Sequence, residues 1–114
     1  MQVYDAAHAL ARDIRESEEY GAYARLKQDV MSDATNAALL KEYKRLQTAL
    51  QMAAMAGASL PDEQMQRFST MSSLLYTQQD IAAYLLAEMR LQKMMADVFK
   101  TLSDAADMQL ELPG

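Results

Sequence analysis

Apolar residues recur along this chain at three- and four-residue intervals, the period of a helix with one dry side. Val3, Ala7, Leu10, Ala11 and Ile14 predict a first helix over about residues 3–16. Ser17 follows, with Glu18 and Glu19 directly after it. A serine N-cap with acids in the first turn suits the positive end of a helix. A second helix is therefore predicted over about 18–31, with Tyr23, Leu26, Val30 and Met31 as its apolar side. Gly21 weakens that helix and leaves a kinked continuation of the first as the alternative. Ser32-Asp33 offers the next cap, for a third helix over about 34–56. Its Leu39, Tyr43, Leu46, Leu50 and Ala53 are spaced as a heptad seam. Gly57 stands where a C-terminal cap belongs.

Ser59-Leu60-Pro61-Asp62-Glu63 reads as a connector and a fresh start, since proline is tolerated in a first turn and acids favour it. The fourth helix places Met65, Phe68, Met71 or Ser72, and Leu75 on one side. Thr77 has Asp80 three residues on, close to a capping box, which sets a joint there. The fifth helix is predicted over about 78–107. At 1.5 Å per residue it is ~45 Å long, whereas a compact domain of this size has a radius of gyration of only ~13 Å. Such a helix projects beyond a core or meets a partner. Its apolar residues also cover three stripes: Ile81, Leu85, Met95, Phe99 and Leu102; Ala82, Leu86, Met89 and Ala96; Tyr84, Leu91, Met94 and Val98. A helix with one wet side needs one stripe. The surplus predicts self-association, as an isologous dimer, through Leu85, Leu86, Met89, Met94, Met95, Val98, Phe99 and Leu102. The expected fold is an all-α, elongated bundle of four to five helices in one domain over 1–114, with residues 107–114 as a frayed tail.

Composition agrees with an all-helical chain. Ala, Leu and Met fill 45 of 114 positions, while Val, Ile and Thr fill only 10, too few for the β-branched content of a sheet. Three glycines and two prolines are also too few for its turns. Cysteine is absent, which excludes disulfides and thiolate chemistry within this chain. The start, Met1-Gln2-Val3-Tyr4-Asp5, has no basic and apolar leader pattern, and the longest apolar run, 81–87, is far short of a membrane span. A cytoplasmic protein without membrane insertion is the expectation.

The formal net charge is −5, unevenly spread: residues 1–33 carry −3, residues 34–60 carry +2 and residues 61–114 carry −4. Lys41, Lys44 and Arg45 share a helix face that Arg67 or Arg25 can join. Such a face either solvates the helix or contacts RNA or an acidic protein. An acidic chain without interleaved aromatics is a poor grip for a phosphate backbone, so nucleic acid is kept as the alternative partner. Seven methionines, Met52, Met55, Met65, Met71, Met89, Met94 and Met95, are core filler, an adaptable binding surface, or both.

Catalytic patterns are missing. His8 is the sole histidine and has no Cys or second His to build a site with, so it reads as an ordinary, partly exposed residue. No Glu-x-x-His occurs, which removes the di-iron bundle pattern. Glu88 lies between Leu85 and Leu91 and reads as an interface or structural carboxylate. Ser17, Ser72 and Ser73 have no base or orienting acid in register, and no glycine-rich phosphate loop exists. The chain is therefore expected to have no catalytic, cofactor-binding or metal-ligating residues. A small-molecule pocket with polar groups converging around Glu88 or His8 is the remaining alternative.

The ordered segments Val3-Tyr4-Asp5-Ala6-Ala7, Leu10-Ala11, Ile14-Arg15-Glu16-Ser17-Glu18-Glu19-Tyr20, Asp33-Ala34, Leu39-Leu40-Lys41-Glu42-Tyr43, Leu46-Gln47 and Ala87-Glu88-Met89-Arg90-Leu91 resemble the YlbF/YmcA family of bacterial proteins, its YheA-like branch most closely. The resemblance implies a helical fold, dimerisation and no enzymatic activity. It also implies a regulatory partner role, as in relatives that join other subunits in modulating RNA processing by a membrane-associated endoribonuclease and influence competence, sporulation and biofilm formation. Two departures stand out. The cysteines tied to an iron–sulfur cluster in that complex cannot exist here, and Ala34 replaces the usual proline after Asp33. The sequence is thus expected to encode a non-enzymatic regulatory or protein-interaction module acting as a homodimer, without a cofactor.

Overall fold

The computed structural model describes residues 1–108. Five helices follow one another: α1 (Gln2–Arg15), α2 (Glu18–Met31), α3 (Ala34–Met55), α4 (Asp62–Thr77) and α5 (Gln79–Ala106). No strand occurs among the described residues, and the fold is all-α. The expected tail lies mostly outside the described residues; Asp107 and Met108 follow α5 as a turn and irregular chain.

Short polar side chains set the joints. The Ser17 hydroxyl donates to the Ile14 carbonyl at 2.6 Å and accepts from the Tyr20 N–H at 3.2 Å. One residue thus closes α1 and opens α2, and the two are separate helices rather than one kinked helix. Asp33 is extended at the start of α3, and its carboxylate accepts from the Asn36 N–H at 3.0 Å. At the far end, Gly57 has φ +71°, the left-handed conformation that costs glycine least. Its N–H reaches the Ala54 carbonyl and the Ala58 N–H reaches Ala53, a Schellman closure. Two joints differ from expectation. Pro61 is the cap of α4 and precedes its first turn. The Thr77 hydroxyl turns back to the Leu74 carbonyl at 2.6 Å, and Thr77 is itself the last residue of α4, one position too early to cap α5, which begins at Gln79. Gln78, in extended conformation, separates the two.

The chain forms two compact units, one of Leu26–Tyr84 and one of Met1–Arg25 with residues 85–108. Most of the buried apolar side chains belong to the first. Val30, Leu40, Tyr43, Leu46, Leu60, Met71, Leu75, Ile81 and Tyr84 are all buried there. Burying a Leu or Ile of this kind contributes about 1.5–3 kcal/mol. α3 packs along α4, with Tyr43 stacked on Phe68 at a centroid separation of 5.2 Å. The heptad reading of α3 assumed a single partner helix. In this unit α3 meets α4 on one side and Tyr84 of α5 on another, where Lys44 lies over the tyrosine ring at 5.7 Å. The dry stripe is wider for that reason, and Leu40 is buried while Leu39 is only half-buried.

The second unit is much wetter. Among its described residues only Leu85 and Ala87 are buried, and no side chain of α1 is. α5 is one continuous helix of 28 residues, ~42 Å at the usual rise. No helix among the described residues is long and apolar enough to cross a membrane.

Candidate interaction surface

The residues predicted to form a dimer surface separate into four environments. Leu85 is buried inside the chain and belongs to the core. Leu86 and Met89 are about half exposed, at 48% and 59%, one helical turn apart on α5. The last group faces α1. Met95, Val98, Phe99 and Leu102 on α5 and Ala7, Leu10, Ala11 and Ile14 on α1 line an open apolar groove of about 280 Å³. Met95 and Leu102 keep 42% and 52% of their surface exposed there. Met94, half-buried, lines a different depression beside Glu19, Arg90, Lys93 and Asp97. Val3 and Tyr4 on α1 are also well exposed, at 65% and 66%. The single periodic stripe of α1 therefore finds only partial cover inside the chain.

The predicted basic face divides as well. Arg45 donates two hydrogen bonds to the Glu42 carboxylate, at 3.0 and 2.7 Å. Arg67 of α4 lies 3.4 Å from the same carboxylate. The Arg45 hydrogen bond holds the Glu42 carboxyl below its ordinary range against the opposing effect of desolvation, with lesser help from the charge of Arg45 and then of Arg67. The bond raises Arg45 in turn. So the arginines are spent on an acid that stands three residues before Arg45, a helix-surface pairing at the usual spacing. Lys41 and Lys44 face elsewhere. With Lys27 of α2 they rim a groove of about 520 Å³ within the Leu26–Tyr84 unit. Lys27 is the member that the sequence did not reveal, because it lies on another helix.

The remaining candidates stay apart. His8 is exposed on α1 and Glu88 is half-buried on α5, and neither lines the grooves described above. Ser17 is an N-cap, and Ser72 and Ser73 lie within α4. Among the described residues no three His, Asp or Glu side chains group as a metal site would require. Of the methionines, Met71 is buried in the core, while Met52, Met55, Met65, Met89 and Met95 are exposed, so filler and surface are both represented.

The family model described as "Control of competence regulator ComK, YlbF/YmcA" matches residues 3–106. A UPF0342 protein of Halothermothrix orenii is 34% identical over 102 residues, covering 90% of this chain and 86% of that protein. A second, from Symbiobacterium thermophilum, is 31% identical over 108 residues, covering 95% and 96%. Among solved structures, a protein of unknown function (DUF964) from Bacillus stearothermophilus superposes with a TM-score of 0.78 at 20% identity, covering 94% of each chain. A chain of the Bacillus subtilis RicA–RicF complex superposes at 0.63 with 18% identity, covering 93% of this chain and 94% of that one. These two likenesses establish the shared fold.

Proposed function

Because this chain belongs to the YlbF/YmcA family of competence regulators, we propose that residues 1–114 act as one regulatory adaptor module, a non-enzymatic homodimer that works by binding other proteins. The observation that carries the reading is the unsatisfied apolar surface of α1 and α5. Leu86 and Met89 form one exposed patch, and the groove lined by Leu10, Ile14, Phe99 and Leu102 continues the apolar character of α5 toward its end. Association removes such surface from water, and methionine adapts to partners of varied shape. RicA is found in complex with RicF, which supports a protein partner here. By the same resemblance, control of RNA processing and of competence, sporulation or biofilm formation is the setting proposed.

Light scattering at micromolar concentration tests the dimer. The expected mass is twice that of the 12.8-kDa chain, and a strictly monomeric mass would sink it. A pull-down from the native host, run beside a variant with Met89 and Met94 made glutamate, tests the adaptor role: co-purifying proteins are expected with the natural sequence and lost with the variant. Direct RNA binding through Lys41, Lys44 and Arg45 is less well supported, because Arg45 is held by Glu42. An RNA gel shift at low salt that is lost on charge reversal at Lys41 and Lys44 would reverse that ranking.

A further inference from the structure

Cysteine is absent, so methionine carries all the sulfur of this chain. A hydroperoxide that meets the protein finds thioethers and no thiol. Access to them is uneven. Met71 lies in the core at 8% exposure, whereas Met95 on α5 keeps 42% of its surface open. The surroundings of the α5 methionines differ as well. Met89 stands on the exposed patch with Leu86, one turn before Lys93. Met94 lines a depression that holds the donor groups of Arg90, Lys93 and Thr101. Met95 lines the α1–α5 groove, inside one compact unit of the chain. Every other residue that lines this groove is apolar, from Ala7 and Leu10 on α1 to Phe99 and Leu102 on α5. An oxygen added to Met95 thus meets no side-chain donor among the groove's lining residues. Water serves that oxygen while the groove stands open.

We propose that Met95 is an oxidation site through which hydrogen peroxide controls association of the chain. The inference rests on the dimer reading above, in which a second copy covers the α1–α5 groove. In the step itself the thioether sulfur of Met95 attacks one oxygen of hydrogen peroxide. An S–O bond forms and the O–O bond breaks. The departing hydroxide takes the proton of the transferred oxygen and leaves as water. Sulfur is oxidised by two electrons and the peroxide is reduced. The product, methionine sulfoxide, is a polar side chain in place of an apolar one. In the free chain water satisfies the new oxygen, and the exposed position of Met95 leaves the core untouched. In the dimer the groove is covered, and the oxygen loses its water without gaining a donor. An acceptor stranded in this way weakens association about tenfold or more. Dimerisation in turn shields Met95. The site therefore reads peroxide when the chain is free, and oxidation then keeps the chain free.

Treatment of the full chain with hydrogen peroxide, read by peptide mass mapping and by light scattering across a concentration series, tests the proposal. In dilute protein Met95 should gain one oxygen well before Met71 does. The oxidised chain should need about tenfold more protein, or beyond, to reach the dimer mass, with helicity by circular dichroism unchanged. Methionine sulfoxide reductases should restore the dimer. Variants separate Met95 from the other exposed methionines. Met95→Leu should dimerise as the natural chain does and keep its dimer through the same peroxide treatment. Met95→Gln places a fixed polar group at this exposed position, and it should weaken dimerisation by a similar factor without peroxide. Equal oxidation rates at Met71 and Met95 overturn the proposal, as does a Met95→Leu dimer that peroxide dissociates as readily as the natural one. Should Met95→Leu lose its fold, Met89→Leu decides: it keeps Met95, so its dimer must stay sensitive to peroxide, and a resistant one overturns the proposal. A strictly monomeric untreated chain overturns the dimer reading and this inference with it. A natural dimer that survives oxidation at Met95 overturns the inference alone.

Discussion

At the scale of single residues, the Glu42 carboxylate decides how the positive charge of this chain is distributed. It accepts both hydrogen bonds from Arg45 and lies beside Arg67, so the arginines of α3 and α4 are both paired with it. Its folded-state pKa is lowered, first by the Arg45 hydrogen bond. A carboxylate with a depressed folded pKa contributes stability above its unfolded value, and that contribution fades as pH falls through the folded value. The Glu42 side chain is consequently expected to titrate with a midpoint below the ordinary 4.5. A pH series of side-chain carboxyl NMR shifts reads this directly, and Arg45→Ala should return the midpoint toward the ordinary value. Since the pair sits at the surface, solvent screening keeps its effect on overall stability small, and the melting temperature at neutral pH should barely change. The pairing was legible in the sequence, because Glu42 precedes Arg45 by three residues. Reading the three cations as one face overlooked that acid.

At the scale of elements, the two described glycines away from the tail make opposite predictions. Gly57 closes α3 with φ +71°, and a β-carbon built there meets nothing within 4 Å. The cost of Gly57→Ala is therefore conformational alone, about 1 kcal/mol of destabilisation from the left-handed backbone. Gly57→Asn should recover part of it. Gly21 lies inside α2, and a β-carbon there also meets open space. Gly21→Ala should stabilise by about 0.5–1 kcal/mol, the ordinary cost of glycine within a helix. Urea unfolding midpoints distinguish the two signs. Both positions were legible because caps and helix interiors depend on neighbours in sequence. The same holds for Ser17 and Asp33, whose capping bonds span three residues. Tertiary placement was not legible in this way. Leu40 replaced Leu39 in the dry stripe because Tyr84, some forty residues on, packs against that side of α3. Lys27 joined Lys41 and Lys44 only through the packing of α2 beside α3. Thr77 looked like a cap for the following helix, yet it is the last residue of α4, and α5 begins only after Gln78.

At the scale of the whole molecule, the contrast in burial between the two units ties the proposed dimer to the stability of its less buried unit. The Leu26–Tyr84 unit holds most of the buried apolar side chains, whereas the other holds Leu85 and Ala87 among its described residues. α1 has 14 residues, none fully buried. An isolated helix of that length is marginal in water, so α1 needs cover to persist. In the proposed dimer the partner supplies it, and mass action then ties the order of α1 to protein concentration. Hydrogen exchange should accordingly show α1 amides near Leu10 exchanging much faster than α3 amides near Leu46 in dilute solution. Raising the concentration through the dimerisation range should slow the α1 amides and leave those of α3 nearly unchanged. Leu86→Glu with Met89→Glu places charge on exposed positions that the core does not use. In that variant α1 should exchange quickly at every concentration while α3 stays protected, since the Leu46 core is untouched. Full protection of α1 in the dilute chain would show that α1 is held from within, and that the apolar surface of α5 serves a partner other than a second copy.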